Sequence, residues 1–272
     1  MAQKIGFIGL GRMGRPLCAN ILKAGFDLIV QDVQPEPVAE LVKRGARAAK
    51  SAREVAEYAD IAAIAIRHEP EVDPSRTVEA VLQGPDGLLA GAHPGLIVVI
   101  HSAVHPVAMM KIAEDAKSHG VEVLDAQMSG GASGAEAGSL CMMIGGDAST
   151  LDRCRPMLEA AGANIYLLGG VGMGAATKVA QNTITAMHLM AAAEGFKLAE
   201  KLGVDLEMFQ EVVRTSGAQS SVADDYLHQH RTRPNWAYYH VLSDALDLGY
   251  TYDVNLPGAA TCMQALARHQ GR

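Results

Sequence analysis

A glycine-rich segment directly after a short apolar strand constrains this chain most. Residues 4–8 read Lys-Ile-Gly-Phe-Ile, and residues 9–14 continue as Gly-Leu-Gly-Arg-Met-Gly before a helical pattern. In such a segment Gly9 permits a tight turn, Gly11 lets the backbone approach a pyrophosphate, and Gly14 allows the helix to pack closely on the strand. Backbone N–H groups at the start of the helix then face the anion. The segment therefore predicts a dinucleotide-binding unit.

An acidic residue after the second apolar strand extends this prediction. Residues 26–30 read Phe-Asp-Leu-Ile-Val, and Asp32 follows Gln31. A carboxylate at this distance accepts hydrogen bonds from the adenosine ribose and repels a 2′-phosphate. The next residue, Val33, offers no cation, so the sequence favours NAD over NADP. The alternative, a glycine-rich turn with a solvated aspartate after it, does not explain why strand, glycines, helix and acid follow in this order.

Composition narrows the class of protein. The chain has 272 residues, of which 49% are hydrophobic and 19% charged, and this predicts a soluble globular protein of two domains. The net charge of −7 disfavours binding to nucleic acid or to an anionic membrane. The 4 cysteines lack the Cys-x-x-Cys spacing, which predicts buried free thiols and no metal site. The strand beginning at Lys4 leaves no room for a signal peptide, so we expect a cytoplasmic protein.

Apolar runs and amphipathic stretches divide the chain into two parts. Residues 1–168 alternate between short apolar runs and amphipathic stretches, which predicts a Rossmann-type doubly wound α/β domain that binds the dinucleotide. Residues 169–272 predict an all-helical domain for substrate binding and oligomerisation, connected through a long helix at 175–202. This helix is apolar on more than one face, which predicts a homodimer or homotetramer. Strands are expected at 5–8, 28–30, 61–66, 97–100, 121–124, 140–146 and 165–168, and helices at 16–24, 38–44, 107–118, 148–161, 205–215, 222–230, 238–250 and from 257 onward.

A second glycine-rich segment follows the strand at 121–124. Residues 125–135 read Asp-Ala-Gln-Met-Ser-Gly-Gly-Ala-Ser-Gly-Ala. A glycine-rich turn at a strand end exposes backbone N–H groups suited to a carboxylate, and the Ser129 hydroxyl adds a donor. A mere tight turn is an equally good interpretation of this segment alone.

Two polar residues interrupt the long apolar helix. Lys178 and Asn182 are four residues apart and therefore share one helix face. A buried lysine is costly unless it is paired or used, and desolvation lowers its pKa toward the range in which it exchanges a proton with a substrate. The alternative is a lysine at a helix end whose ammonium reaches solvent.

The order of these motifs resembles the β-hydroxyacid dehydrogenase family, which includes 3-hydroxyisobutyrate dehydrogenases and tartronate semialdehyde reductases. The segments at 6–14, 125–131 and 172–182 match the family's cofactor, substrate and catalytic segments, so the resemblance covers nearly the whole chain. It implies that Lys178 is the catalytic general acid/base, that Asn182 orients the substrate, and that Ser129, Gly130 and Gly131 hold the substrate carboxylate. It also implies a set of cofactor-binding residues in the first turn, namely Gly9, Leu10, Gly11, Arg12, Met13 and Gly14.

Several positions depart from the family pattern. Ser102 and Ala103 replace a Ser-Thr or Ser-Ser pair at the nicotinamide ribose, and His240 replaces a lysine that reaches the cofactor. Ile66 and Arg67 replace a Leu-Pro pair, and the resemblance implies that all five positions lie at the cofactor. Gln127-Met128 replaces Pro-Val.

Trp236 precedes His240 on the segment that covers the substrate pocket in this family. It either lines that pocket, which would suit a bulkier and less polar substrate, or packs between helices.

Together these features predict an NAD-dependent oxidoreductase that transfers hydride between a small, carboxylate-bearing 3-hydroxy acid, or a close analogue, and the cofactor. Two alternatives remain at the level of sequence. The first is an imine reductase-like enzyme, which would share the fold and the cofactor. The second is a non-catalytic cofactor-binding protein, suggested by the changes at Ala103 and His240.

Overall fold

The computed structural model describes residues 3–66, 74–230 and 237–269. The chain divides into two compact units, Met1–Lys178 and Val179–Arg272. Arg67 and Trp236, two residues for which the sequence predicts a site role, lie outside the described residues.

An eight-stranded sheet forms the centre of the first unit, in the order β3-β2-β1-β4-β5-β6-β7-β8. The strands are β1 (Lys4–Ile8), β2 (Asp27–Gln31), β3 (Arg47–Ala48), β4 (Ile61–Ile64), β5 (Ile97–Ile100), β6 (Glu122–Ser129), β7 (Leu140–Gly145) and β8 (Gly162–Leu167). Adjacent strands are parallel except β6 and β7, which are antiparallel. This arrangement confirms the predicted doubly wound fold.

Helices cover both faces of this sheet. They are α1 (Gly14–Lys23), α2 (Pro35–Lys43), α3 (Ala52–Tyr58), α4 (Pro74–Leu82), α5 (Pro106–Ser118), α6 (Gly131–Ala137) and α7 (Ala148–Glu159). The sequence patterns missed α3, α4 and α6. Helix α6 was hidden because its residues are mostly glycine, alanine and serine, which predict a turn, and because Gly130 precedes it with a φ of 127°.

Two buried apolar layers, one on each face of the sheet, make up the core of this unit. One layer contains Phe7, Leu28 and Ile144, and the other contains Ile8, Ile64 and Val98. Strands β4 and β5 are buried along their whole length, as expected for central parallel strands. Since β1 lies between β2 and β4, the strand order reverses at β1, and the carboxyl ends of β1 and β4 border the crevice where such sheets bind ligands.

All the regular secondary structure in the described residues of the second unit is helical. Its helices are the greater part of α8 (Met173–Lys201), α9 (Leu206–Thr215), α10 (Ala237–Thr251) and α11 (Pro257–His269). The predicted helix at 222–230 is wrong, since the structure forms turns there and then one π-helical turn at Tyr226–His230. Gln210 explains the difference, because its side chain bonds the Ala223 carbonyl and the Leu227 N–H and so holds the segment in an irregular path. In the part of the chain described, no helix has the length and apolar character needed to span a membrane.

Candidate active site

The turn after β1 has the geometry of a pyrophosphate cradle. Gly9 has a φ of +93°, and a Cβ at Gly14 would lie 1.9 Å from the Gly9 carbonyl oxygen, so both positions require glycine. A Cβ at Gly11, in contrast, would meet no described atom within 4 Å. No described side chain caps the first turn of α1. Open space beside Gly11 and helix N–H groups without a side-chain cap are features that fit a dinucleotide pyrophosphate.

Asp32 connects this turn to the end of β2. One carboxylate oxygen accepts a hydrogen bond from the Leu10 backbone N–H at 2.5 Å, and the other accepts one from the Gln34 N–H at 2.8 Å. Each carboxylate oxygen has a second lone pair, so the group retains acceptor capacity. Val33 beside it is 88% exposed. Asp32 therefore shapes the glycine turn and places a negative charge beside it.

Gly11→Ala tests the cradle without disturbing the packing. Because a Cβ there meets open space, we expect the variant to unfold at the wild-type temperature. We expect it to bind NAD at least about tenfold more weakly, because the added methyl group keeps the pyrophosphate away from the backbone. Calorimetric titration and thermal unfolding measure the two quantities. Gly170→Ala is the matched control, since a Cβ there also meets no described atom within 4 Å. NAD affinity unchanged in Gly11→Ala would show that the cofactor does not cross this turn.

Hydrogen bonds tie together the loops after β4 and β5. The Ser102 hydroxyl accepts from the Ile66 N–H at 3.0 Å and donates to the Ile66 carbonyl at 3.2 Å. The Gln127 amide donates to the Ser102 carbonyl at 3.0 Å. Buried His101 donates from Nδ1 to the Ala126 carbonyl at 2.8 Å, and burial lowers its pKa to about 4, so its ring is neutral. The Ser102 hydroxyl is thus engaged with backbone, while Ala103 is exposed.

A fully buried carboxylate anchors the start of α8 to the sheet. Asp125 on β6 accepts hydrogen bonds from the backbone N–H groups of Gly172 at 2.8 Å and Ala175 at 2.7 Å. Burial raises the pKa of the Asp125 carboxyl, whereas these N–H donors and that of Gly174 lower it. A Cβ at Gly174 would lie 2.7 Å from the carboxylate. Asp125 therefore requires glycine beside it and determines where α8 begins.

Lys178 lies on the turn of α8 that follows this anchor. It is partly buried, and burial lowers its pKa to about 8, while the Cys141 thiol acts in the opposite direction. A lysine with this pKa is populated in both protonation states near neutral pH, as a general acid/base requires. Asn182 lies one helical turn further along α8, in the second unit.

The segment expected to bind the substrate carboxylate forms the end of β6 and the start of α6. Ser129 is the last residue of β6, and Gly130 and Gly131 have φ values of 127° and 65°. Both positive φ values favour glycine, and the backbone N–H groups of such a turn are available to an anion. The structure therefore brings the glycine turn, Ser102, Ser129 and Lys178 into the first unit, while His240 lies exposed on α10 in the second.

Two residues of this site were not predicted to have a role. Asp125 was part of the motif at 125–135. A charged residue directly after an apolar strand is the sequence feature that could have indicated its role. Cys141 was interpreted as one of the buried thiols, but it is partly exposed and it raises the pKa of Lys178. No local pattern identifies Cys141, because its place opposite Ser129 is set by the pairing of β6 and β7.

Sequence families match both parts of the chain. Residues 4–170 match the NAD-binding domain of 6-phosphogluconate dehydrogenase. Residues 172–271 match a domain described as the NAD-binding part of NADP-dependent 3-hydroxyisobutyrate dehydrogenase.

Individual proteins agree with these matches. The chain is 38% identical to an NAD-dependent L-serine dehydrogenase from Pseudomonas aeruginosa, over 82% of this chain and 73% of the relative. A solved 3-hydroxyisobutyrate dehydrogenase from Mycobacterium tuberculosis with L-serine is 28% identical, with a TM-score of 0.83 over 100% of this chain and 94% of that one. An imine reductase from Myxococcus stipitatus has a TM-score of 0.70 over 100% of this chain and 94% of its own, but at 18% identity it shows the fold alone. The three motifs, the two matched domains and these relatives place the chain in the β-hydroxyacid dehydrogenase family, as a nicotinamide-dependent oxidoreductase acting on a hydroxyl group.

Proposed function

We propose that this enzyme oxidises a small 3-hydroxy acid, or reduces the corresponding carbonyl compound, with Lys178 as the general acid/base and NAD as the preferred cofactor. The observation that carries the proposal is a lysine with a pKa of about 8 on a helix whose first turn is fixed to the sheet by Asp125. The two similar proteins named above support the substrate class, since L-serine is itself a 3-hydroxy acid.

The turn at Ser129 and Lys178 have separate roles in this reaction. The N–H groups at Gly130 and Gly131, with the Ser129 hydroxyl, hold the carboxylate, and this fixes the distance from the carboxylate to the carbinol carbon. Neutral Lys178 takes the proton from the substrate hydroxyl, and its ammonium returns that proton in the reverse direction. When bound, NAD supplies the hydride acceptor.

Asp32 supports the preference for NAD. Its carboxylate is held by two backbone N–H groups, so it cannot move away from a 2′-phosphate without losing both bonds. Val33 supplies no compensating cation. We expect Asp32→Ser to reduce the ratio of kcat/KM with NAD to that with NADP by at least about tenfold, since one removed repulsion of 1.4 kcal/mol has this effect. An unchanged ratio would show that Asp32 does not face the adenosine ribose.

A substrate panel tests the proposal as a whole. Formation of reduced nicotinamide is measured for the purified protein with NAD and with NADP, against L-serine, 3-hydroxyisobutyrate and larger 3-hydroxy acids. We expect turnover with at least one 3-hydroxy acid and a higher kcat/KM with NAD. NAD binding without turnover on any hydroxy acid would contradict the proposal, and reduction of cyclic imines under the same conditions would favour the imine reductase alternative.

We also propose that the chain assembles as a homodimer or homotetramer through its second unit. Leu198 on α8, Leu202 directly after it, and Met208 and Val212 on α9 are exposed apolar side chains within that unit. Exposed apolar side chains of this number on adjacent helices are typical of a subunit interface. Light scattering on the protein as it elutes from a size-exclusion column measures the mass of the assembly. A monomer at all micromolar concentrations would contradict the proposed assembly.

A further inference from the structure

Cys141 lies directly opposite Ser129 in the antiparallel pairing of β6 and β7. Side chains of directly opposed residues point to the same face of the sheet, with Cβ atoms about 5 Å apart. The Cys141 side chain is therefore a neighbour of the hydroxyl expected to receive the substrate carboxylate.

The same face of these two strands carries the start of α8. Asp125, which anchors that helix, is opposed to Gly145, and both lie an even number of residues from Ser129 and Cys141. A Cβ at Gly174 would lie 2.5 Å from the Met143 carbonyl oxygen, so α8 contacts β7 two residues from Cys141. Lys178 follows about one helical turn later.

The electrostatics of Lys178 agree with this placement. The Cys141 thiol raises the pKa of Lys178, against the effect of burial, as expected for a group near the ammonium that can carry a negative charge. The strand register and this interaction are separate observations: the first makes Cys141 a neighbour of Ser129, and the second associates it with Lys178.

We propose that Cys141 forms the floor of the substrate site and determines which substituents are accepted on the carbon between the carboxylate and the carbinol carbon. The proposal rests on the proposed function, in which the carboxylate is held at Ser129 and the hydroxyl at Lys178. In a 3-hydroxy acid one carbon separates the carboxylate from the carbinol carbon that bears the hydroxyl, and a ligand that reaches both residues passes over the side chain at position 141. Cysteine is small and polarisable there, which leaves room for a methyl or amino substituent.

Chemical labelling tests this placement without relying on turnover. Cys18, Cys154 and Cys262 are buried and burial raises the pKa of each thiol, whereas Cys141 is partly exposed. Iodoacetate carries a carboxylate, so the Ser129 turn and Lys178 would bind it beside the sulfur. The thiolate then attacks the CH₂ carbon, the S–C bond forms, the C–I bond breaks, iodide leaves, and the thiol proton goes to solvent.

The measurement compares iodoacetate with neutral iodoacetamide. The ratio of their rate constants at Cys141, found by peptide mass spectrometry, is divided by the same ratio for glutathione. We expect a normalised preference for iodoacetate of about tenfold in the wild type, from charged hydrogen bonds to the carboxylate. We expect it to disappear in Lys178→Met and to persist in Lys197→Met, which changes an exposed lysine of the same helix. L-Serine at high concentration should protect Cys141.

Labelling and turnover fail independently. Three results would overturn the proposal that Cys141 forms the floor of the substrate site, whatever the enzyme turns over. They are no labelling of Cys141, equal normalised rates for both reagents, and a preference for iodoacetate that survives Lys178→Met. Anion-selective labelling without hydroxy-acid turnover would support the placement of Cys141 and contradict the proposed function.

Position 141 is tested directly by Cys141→Ser and Cys141→Val. We expect Cys141→Ser to retain the wild-type order of substrates. In Cys141→Val the larger side chain should raise the KM of acids with a substituent on the intervening carbon at least about tenfold relative to unsubstituted 3-hydroxypropionate. An equal change of KM for both substrates in Cys141→Val would overturn the role in specificity.

Discussion

Lys178→Met is expected to lower kcat for hydroxy-acid oxidation by about 10² to 10⁴-fold, the usual contribution of a positioned general acid/base. Methionine keeps most of the side-chain volume and removes the proton acceptor. NAD affinity should stay within about threefold of the wild type, because the glycine turn and Asp32 are separate from α8. Steady-state kinetics and calorimetric titration measure the two effects.

The pH dependence of the wild type provides an independent test of the same residue. Burial lowers the pKa of Lys178 to about 8, so the neutral amine needed for oxidation accumulates as the pH rises through that value. We expect kcat/KM for oxidation to rise with pH and level off above about 8, and kcat/KM for reduction, which needs the ammonium, to fall over the same range.

Lys197→Met is the matched control for both experiments, since it changes an exposed lysine of α8 and should leave rate and pH profile unaltered. A Lys178→Met enzyme with wild-type kcat, or one that retains the wild-type pH profile, would assign the proton transfer to another group.

Asp125→Asn is expected to reduce the free energy of unfolding by about 2 to 4 kcal/mol, because a buried hydrogen-bonded charge is replaced. The side chain keeps its shape, but one carboxylate oxygen becomes an NH₂ donor that faces the N–H groups of Gly172 or Ala175. The first turn of α8 then loses an acceptor, and Lys178 moves with it. Denaturant unfolding of the isolated variant measures the loss.

Activity separates positioning from stability in this variant. Well below its unfolding temperature, Asp125→Asn should still show a reduced kcat, together with a changed pH at half-maximal kcat/KM, since the surroundings of Lys178 are altered. Asp147→Asn is the control, because Asp147 is an exposed aspartate at the start of α7 whose side chain makes no capping bond. An Asp125→Asn enzyme with normal kcat and normal pH profile would show that the anchor does not position Lys178.

The dinucleotide turn could be predicted from sequence because its requirements are local. Strand, glycines and helix start are contiguous, and the φ of +93° at Gly9 and the contact of 1.9 Å at Gly14 involve neighbours in that segment. The fold class and the long helix followed equally from local periodicity. The helix at 222–230 was wrong for the opposite reason, since two bonds from Gln210 on another helix determine that path.

The chemistry around Lys178 illustrates the division between sequence and tertiary structure. Sequence alone showed a lysine in an apolar helix, four residues before Asn182, and a glycine-rich segment suited to a carboxylate. It could not show that Asp125 holds the start of that helix from 47 and 50 residues away, or that Cys141 lies opposite Ser129. Periodicity and turn chemistry act over a few residues, so the local sequence is enough to predict them. Burial, which lowers the pKa of Lys178, and strand register exist only once distant segments pack together.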